Sequence, residues 1–453
     1  MTVIHAAQAL IQGKWQRDVR LTLAGGRVGG VEIGAARQAG DAAHAIVLPA
    51  MPNLHSHAFQ RGMAGLAERR HTSADTFWSW REVMYRFALA MTPAQVQAVA
   101  AQVYMEMVEA GFSRVGEFHY LHHDVNGKPY ANIAEMASQL ASAAEASGIG
   151  LTLLPVFYAH ASFGAAPPAE GQRRFINSVE SYARLLDGCC AAVKPLGTGV
   201  VGVAPHSLRA VTPDELTAVA KMAGGAPMHI HISEQTREVE ECMAWSGQRP
   251  IEWLLDHAPV DSRWCLVHAT HMTDEETTRM AKSGAVAGLC PITEANLGDG
   301  VFNAPAFIGA GGSYGIGSDS NVQIGVADEL RLLEYSQRLL LQGRNVLAPP
   351  GGSTGRALYD GALKGGAAAL GAGAAELAVG AAADIVTLDE KHAALAAAKT
   401  GDDILDAWIF AGGNSLVDCV WIAGRKVVAG GRHINRDGIA RTYAAVMREL
   451  SAA

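Results

Sequence analysis

Leu48 to Gly65 reads LPAMPNLHSHAFQRGMAG, an apolar run that ends in two histidines one residue apart, His55 and His57, with Gln60 and Arg61 soon after. In a strand, residues i and i+2 share a face, so both imidazoles project the same way. Two converging neutral imidazoles can hold a metal ion, and zinc often takes such nitrogen ligands. Alone, an H-x-H pair is more often the polar end of a strand with two solvated rings. The missing ligands have to come from elsewhere in the chain.

Outward from this stretch, short apolar or β-rich runs recur between helical patterns. Strands are predicted at 43–57, 112–121, 149–160 and 199–208, and again at 227–234, 263–271, 284–292 and 312–320. Pro93–Ala110, Ala131–Ala146, Pro213–Ala223 and Asp274–Lys282 carry apolar residues at three- and four-residue spacing, the period of a helix with one buried face. Thr92-Pro93, Thr212-Pro213 and Thr273-Asp274 supply a capping hydroxyl followed by proline or acid, as helix starts require. Strands alternating with helices over residues 49–378 predict an α/β fold, a (β/α)8 barrel. A doubly wound open sheet is the alternative, but no glycine-rich nucleotide fingerprint follows the first strand.

The two ends read differently. Residues 1–48 and 379–453 hold short alternating runs with turn glycines, as in LIQGKWQRDVRLTLAGGRVGGVEIG and SLVDCVWIAGRKVVAGGRHI. Neither can bury a core alone, so a small β-sandwich built from both termini, with a terminal helix, is expected beside the barrel. The 453 residues are 49% hydrophobic and 18% charged, which suits a large core and argues against long disorder. A net charge of −8 argues against nucleic-acid partners and anionic membranes. The six cysteines show no C-x-x-C pair, no stretch is apolar enough to span a bilayer, and the first residues lack a signal pattern. Cytoplasmic residence follows as the expectation, with a homodimer as the commonest assembly.

Barrels of this kind place their chemistry at the C-terminal strand ends. There the first strand offers His55 and His57, the fifth His231 and Glu234, the sixth His268 and the eighth Asp319. Each alone reads as a core histidine or a capping residue. Metal-type ligands from the first, fifth and eighth strands at one end of one barrel read as a metal site.

The H-S-H, H-I-S-E, V-H-A-T-H and G-S-D-S at these strand ends resemble the amidohydrolase superfamily, and GAAADIVTLD and VDCVWIAGRKVVAGG resemble its terminal sandwich. The resemblance implies that His55, His57, His231 and Asp319 bind one divalent metal ion per chain. Zn²⁺ is the expected ion, although Fe²⁺ and Mn²⁺ suit the same donors. Two-metal members carry a bridging lysine at the end of the fourth strand. Here that position reads APHSLR and Lys194 lies before the strand, so a single ion is expected.

A glutamate three residues after the fifth-strand histidine resembles the deaminase branch, which hydrolyses C–N bonds at amidine-like carbons. In that scheme the ion activates a water, Asp319 or His268 accepts its proton, and Glu234 protonates the leaving nitrogen. Arg81, after TFWSW, and His206 and Arg209, in PHSLR, offer positive charge, and arginine's fork suits carboxylates. A small dicarboxylate substrate would explain them, whereas a flat heterocycle would call for stacking surfaces. NLHSHAFQRGMAG, TFWSWRE, GEFHYLHH, APHSLRAV and HIHISEQTREVEEC together resemble the formimidoylglutamate deiminases of bacterial histidine degradation. That resemblance implies hydrolysis of a formimino group to a formyl group and ammonia, with Gln60, Arg81, Tyr120, His206 and Arg209 holding the substrate. An aminoheterocycle deaminase or an imidazolonepropionase would keep the metal set and change the substrate groups. A non-catalytic barrel would have lost ligands or Glu234.

Overall fold

In a computed structural model, which describes residues 2–70, 76–398 and 400–452, the strand Met51–Ser56 is buried at every position. It pairs in parallel with Phe112–His119, which pairs with Gly150–Phe157, and that strand in turn takes the short pieces Val200–Val201 and Ala204–Pro205. A second parallel sheet runs Met228–Ile232, Trp264–His268, Val286–Leu289 and Ser313–Ile316. Two isolated parallel bridges, Val203 with Met228 and Ser56 with Asp319, connect the two sheets at both edges. Strands covered on both faces are apolar throughout rather than alternating, which is how these runs read. Helices cross between them, and those at Pro93–Glu109, Pro213–Met222 and Asp274–Ser283 start in capping boxes at Thr92, Thr212 and Thr273, as their sequences predict.

Two predicted strands differ. The stretch 43–57 is not one strand: Ala42–Pro49 lies in the terminal sheet and Met51–Ser56 in the inner one. Pro49 and Pro52 lack N–H donors, and between them Ala50 N–H bonds to Asp384 O while Met51 N–H bonds to Gly111 O, so the chain changes sheets there. The fourth strand, predicted over 199–208, survives as two residue pairs. Between them Gly202 N still donates to Leu153 O at 2.9 Å, and a Cβ at Gly202 would lie 2.5 Å from Pro227 O, so glycine is required there.

Both termini enter one eight-stranded sheet. Thr2–Ile11 pairs antiparallel with Lys14–Ala24 and parallel with Ala42–Pro49, which pairs antiparallel with Ile385–Leu388 from the far end of the chain. Ile4, Ala6, Val19, Leu21, Val47, Leu377, Ile385 and Trp421 form one apolar cluster from both ends. The last helix, Arg436–Ala452, packs on Pro93–Glu109, with Arg436 paired to Glu109. Among the described residues no helix is long and apolar enough to cross a membrane.

The first and last inner strands also meet closely. A Cβ on Gly317 would stand 2.8 Å from His55 O and 2.9 Å from His55 N. Gly317→Ala should therefore cost about 1–3 kcal/mol in denaturant unfolding, the usual range for overpacking, and reduce metal retention. Gly309→Ala, where a Cβ meets nothing within 4 Å, is the neutral control. Equal stability of the two variants would show that the approach at His55 is not tight.

Candidate active site

His55 O accepts from Asp319 N at 3.0 Å and His57 N donates to Asp319 O at 2.9 Å, so the bridge between the sheets also brings the side chains together. His55 Nε2 lies 3.2 Å from His57 Nε2 and 3.0 Å from His231 Nε2. Asp319 Oδ1 is 3.4 Å from His55 Nε2 and 3.1 Å from His57 Nε2. The Nδ1 atoms of His57 and His231 face the carbonyls of Phe118 at 2.8 Å and His206 at 3.1 Å. A carbonyl only accepts, so Nδ1 carries the proton on both rings and the Nε2 lone pairs point inward. Burial holds His55 down to about 3 and His231 well below the ordinary histidine range, so protonation does not relieve those facing lone pairs. A shared cation does. Those four separations, 3.0–3.4 Å, are what donors sharing one cation through bonds of about 2.0–2.1 Å would show, and all four donor atoms lie within 4.8 Å of one another.

Beside this set, Glu234 Oε1 lies 3.8 Å from His268 Nε2, and Glu294 Oε1 lies 3.3 Å from His268 Nδ1. Burial alone would lower His268, but the charges of Glu234, Asp319 and Glu294 outweigh it and push the ring up to about 10. Burial pushes Glu234 up as well, against the pull of His268 and Arg209. The pair therefore retains a proton where a solvated carboxylate would release it, which suits an acid. The backbone is strained at the same points: Ser233, His268 and Asp319 have φ of 51°, 68° and 41°. At His268 a bond of 3.0 Å from Ala269 N to Val267 O closes a γ-turn, a rare conformation at positive φ.

The residues expected to hold substrate, Gln60, Arg81, Tyr120, His206 and Arg209, line one pocket with His57, His231, Glu234, His268 and Asp319. Its atom-free space is about 550 Å³. His55 is fully buried beneath it. Gln60 Nε2 donates to Tyr120 OH at 2.9 Å, while Gln60 Oε1 and the buried Arg209 Nε have no partner among the described residues. Arg81 stacks 4.4 Å over Trp78 and 5.5 Å from Tyr85. Burial and Arg209 hold His206 well below its ordinary range, so it meets the pocket as a neutral ring rather than as the third cation that the sequence suggests.

Other pocket residues carry no clear mark in the sequence. Phe77, Trp80, Tyr85, Tyr158 and Phe175 also line the pocket, so its walls are aromatic as well as cationic, and the expected lack of stacking surfaces does not hold. Trp80 and Phe77 lie in the aromatic run, and Tyr85 follows Arg81 by one helical turn. Glu294 and Glu238 carry no signal beyond being acidic.

A larger cleft, about 2130 Å³, lies against the terminal sheet around Arg114, Gly148, Gly197 and Arg425, and no metal-type donor cluster faces it among the described residues. A second cluster, His44, Asp418 and Cys419, satisfies itself through Asp418 Oδ2 at 3.5 and 3.4 Å.

Parallel sheets with a histidine and aspartate donor set at their strand ends define the class. A model of the amidohydrolase family matches residues 46–427, and the chain belongs to that metal-dependent family. A model described as "Formimidoylglutamate deiminase HutF, N-terminal domain" matches residues 1–45. Formimidoylglutamate deiminase of Pseudomonas aeruginosa is 50% identical over 99% of this chain and 100% of its own. The crystal structure of an amidohydrolase from Brucella melitensis is 58% identical, covers 100% of both chains and superposes with a TM-score of 0.96. An adenosine deaminase from Xanthomonas campestris with bound zinc, 20% identical with a TM-score of 0.80 over 100% of this chain and 99% of its own, shares the fold. Within the amidohydrolases, the chain falls in the formimidoylglutamate deiminase family.

With one four-residue donor set, purified protein should hold about one metal equivalent by elemental analysis, and His55→Ala/His231→Ala should lose it. Two equivalents, or an unchanged content in the double variant, would refute the assignment.

Proposed function

We propose that the chain hydrolyses N-formimidoyl-L-glutamate to N-formyl-L-glutamate and ammonia, in histidine degradation. The observation that carries this is one pocket faced by His57, His231 and Asp319 of the donor set, the Glu234–His268 pair and Arg209, whose buried Nε has no partner among the described residues. A divalent ion, Zn²⁺ by preference, held by His55, His57, His231 and Asp319 would supply a water of lowered pKa. The side chains do the rest. Asp319 takes the proton of the attacking water as its oxygen joins the formimino carbon, and His268, which already carries a proton, positions that water. Glu234 protonates the imino nitrogen on that carbon; the proton held by Asp319 then passes to the same nitrogen while Glu234 takes the carbinol O–H proton, so the C–N bond breaks, the formyl C=O forms and ammonia leaves. Arg209 and Arg81 bind the two carboxylates, His206 and Tyr120 donate to them, and Gln60 orients Tyr120.

The same reading takes the two bridged parallel sheets as a (β/α)8 barrel over residues 49–378, and the terminal sheet, 1–48 with 379–453, as a β-sandwich. It takes the protein as a cytoplasmic homodimer. Cysteines that are all free support a reducing compartment. The six aromatic rings of the pocket, Tyr120 included, favour a second reading, an aminoheterocycle deaminase. The two arginines favour the dicarboxylate.

Glu234→Gln keeps shape and loses the proton, so kcat should fall about 10²- to 10⁴-fold with metal content unchanged. Near-normal turnover would remove Glu234 from the chemistry. Arg209→Met leaves a substrate carboxylate unpaired at about 2–5 kcal/mol, so kcat/KM should fall about 30-fold or more. An analogue with its side-chain carboxylate amidated should be poor for the unaltered enzyme and lose less in Arg209→Met. If the unaltered enzyme prefers an uncharged heterocycle, the substrate assignment is wrong.

A further inference from the structure

The turn that presents Glu234 is unusual in what holds it. Ser233 is fully buried with φ of 51°, a left-handed conformation that serine rarely adopts. Consecutive backbone N–H groups around such a residue form a concave donor pair that suits an anion. Here the anion belongs to the chain. Glu238 Oε1 accepts from Ser233 N at 3.3 Å and Glu238 Oε2 from Glu234 N at 3.2 Å. Glu238 stands in the first turn of the helix Thr236–Ser246, where an acid also suits the helix dipole. It is 1% exposed, and no ion-pair partner lies within salt-bridge distance among the described residues. Its nearest compensation is the field of Arg209, which draws it down against burial.

We propose that Glu238 is a positioning residue for the reaction: its two carboxylate oxygens latch the left-handed turn at Ser233 and so aim Glu234 at the leaving nitrogen. This rests on Glu234 being the acid. Only a carboxylate serves both donors at once. A glutamine has one acceptor oxygen and would set its own NH₂ against the second N–H. A hydrophobic replacement would leave both donors unpaired in the interior. Glu238 touches no reacting atom, so its effect on kcat should run through Glu234, while the loss of its charge beside Arg209 bears on substrate binding.

A double-variant cycle on the metal-loaded enzyme isolates that coupling. Glu238→Gln should lower kcat about tenfold to a hundredfold, the scale of a catalytic group displaced by an ångström, with KM moving less than kcat and metal content unchanged. In a Glu234→Gln background the same substitution should change kcat hardly at all, because no acid remains to be aimed. An equal loss in both backgrounds would overturn the proposal, since Glu238 would then act on the fold at large. Unchanged kcat in Glu238→Gln beside an impaired Glu234→Gln would also overturn it, with Glu234 keeping its role. If Glu234→Gln is itself unimpaired, the reading of Glu234 fails first. Should Glu238→Gln not fold, Glu238→Asp, which keeps the charge but sits one methylene short, goes through the same cycle. There too, a loss confined to the background with Glu234 intact supports the latch, and an equal loss or none overturns it.

Discussion

The pairing of His55 and His57 with Asp319 is the constraint on which the site depends. Two backbone bonds join the first inner strand to the end of the last, and the same three residues supply metal-type donors. Closure and chemistry are thus one interaction. Gly317 is glycine because the strands come too close there for a side chain, and Asn321 ties the junction from below, donating to Ser56 Oγ and His57 O at 3.1 Å each. A chain that failed to close here would lose the donor set with the fold.

Around that junction the interior is crowded with charge. Glu234, Glu238, Glu294, Asp299 and Asp319 are all buried near His268 and Arg209. Carboxylates so placed repel one another and are poorly solvated, and Asp299 is pushed up to about 9 by burial and by Glu234. Such an arrangement persists because backbone donors and the two cationic side chains hold it, and because the strand-end turns are fixed by the surrounding structure. Left-handed residues at Ser233, His268 and Asp319 are the conformational side of the same arrangement: each bends the chain so that a polar side chain leaves a buried strand and enters the pocket. Arg81 and the buried Arg209 line the same pocket.

Much of this was legible in the residues themselves. Capping boxes at Thr92, Thr212 and Thr273 mark helix starts by a local rule, and a hydroxyl with its partner three residues on needs no tertiary knowledge. The clustered histidines were legible as candidates because polar residues ending apolar strands stand out against the run before them. The double strand at 42–56 was not, because a proline-punctuated apolar run looks continuous until one knows which sheet each half joins.

By itself the sequence determined the alternation of strands and helices, the residue types that end the strands, and the side of each strand on which they stand, since these follow from period and residue type. Tertiary structure alone decided which of many polar residues meet. It buried Glu238 and Glu294 among functional groups, turned five more aromatic rings into pocket walls, and made His206 neutral by burying it beside Arg209. The physical reason is that burial and long-range pairing set dielectric and distance, and neither is encoded by a residue's neighbours along the chain.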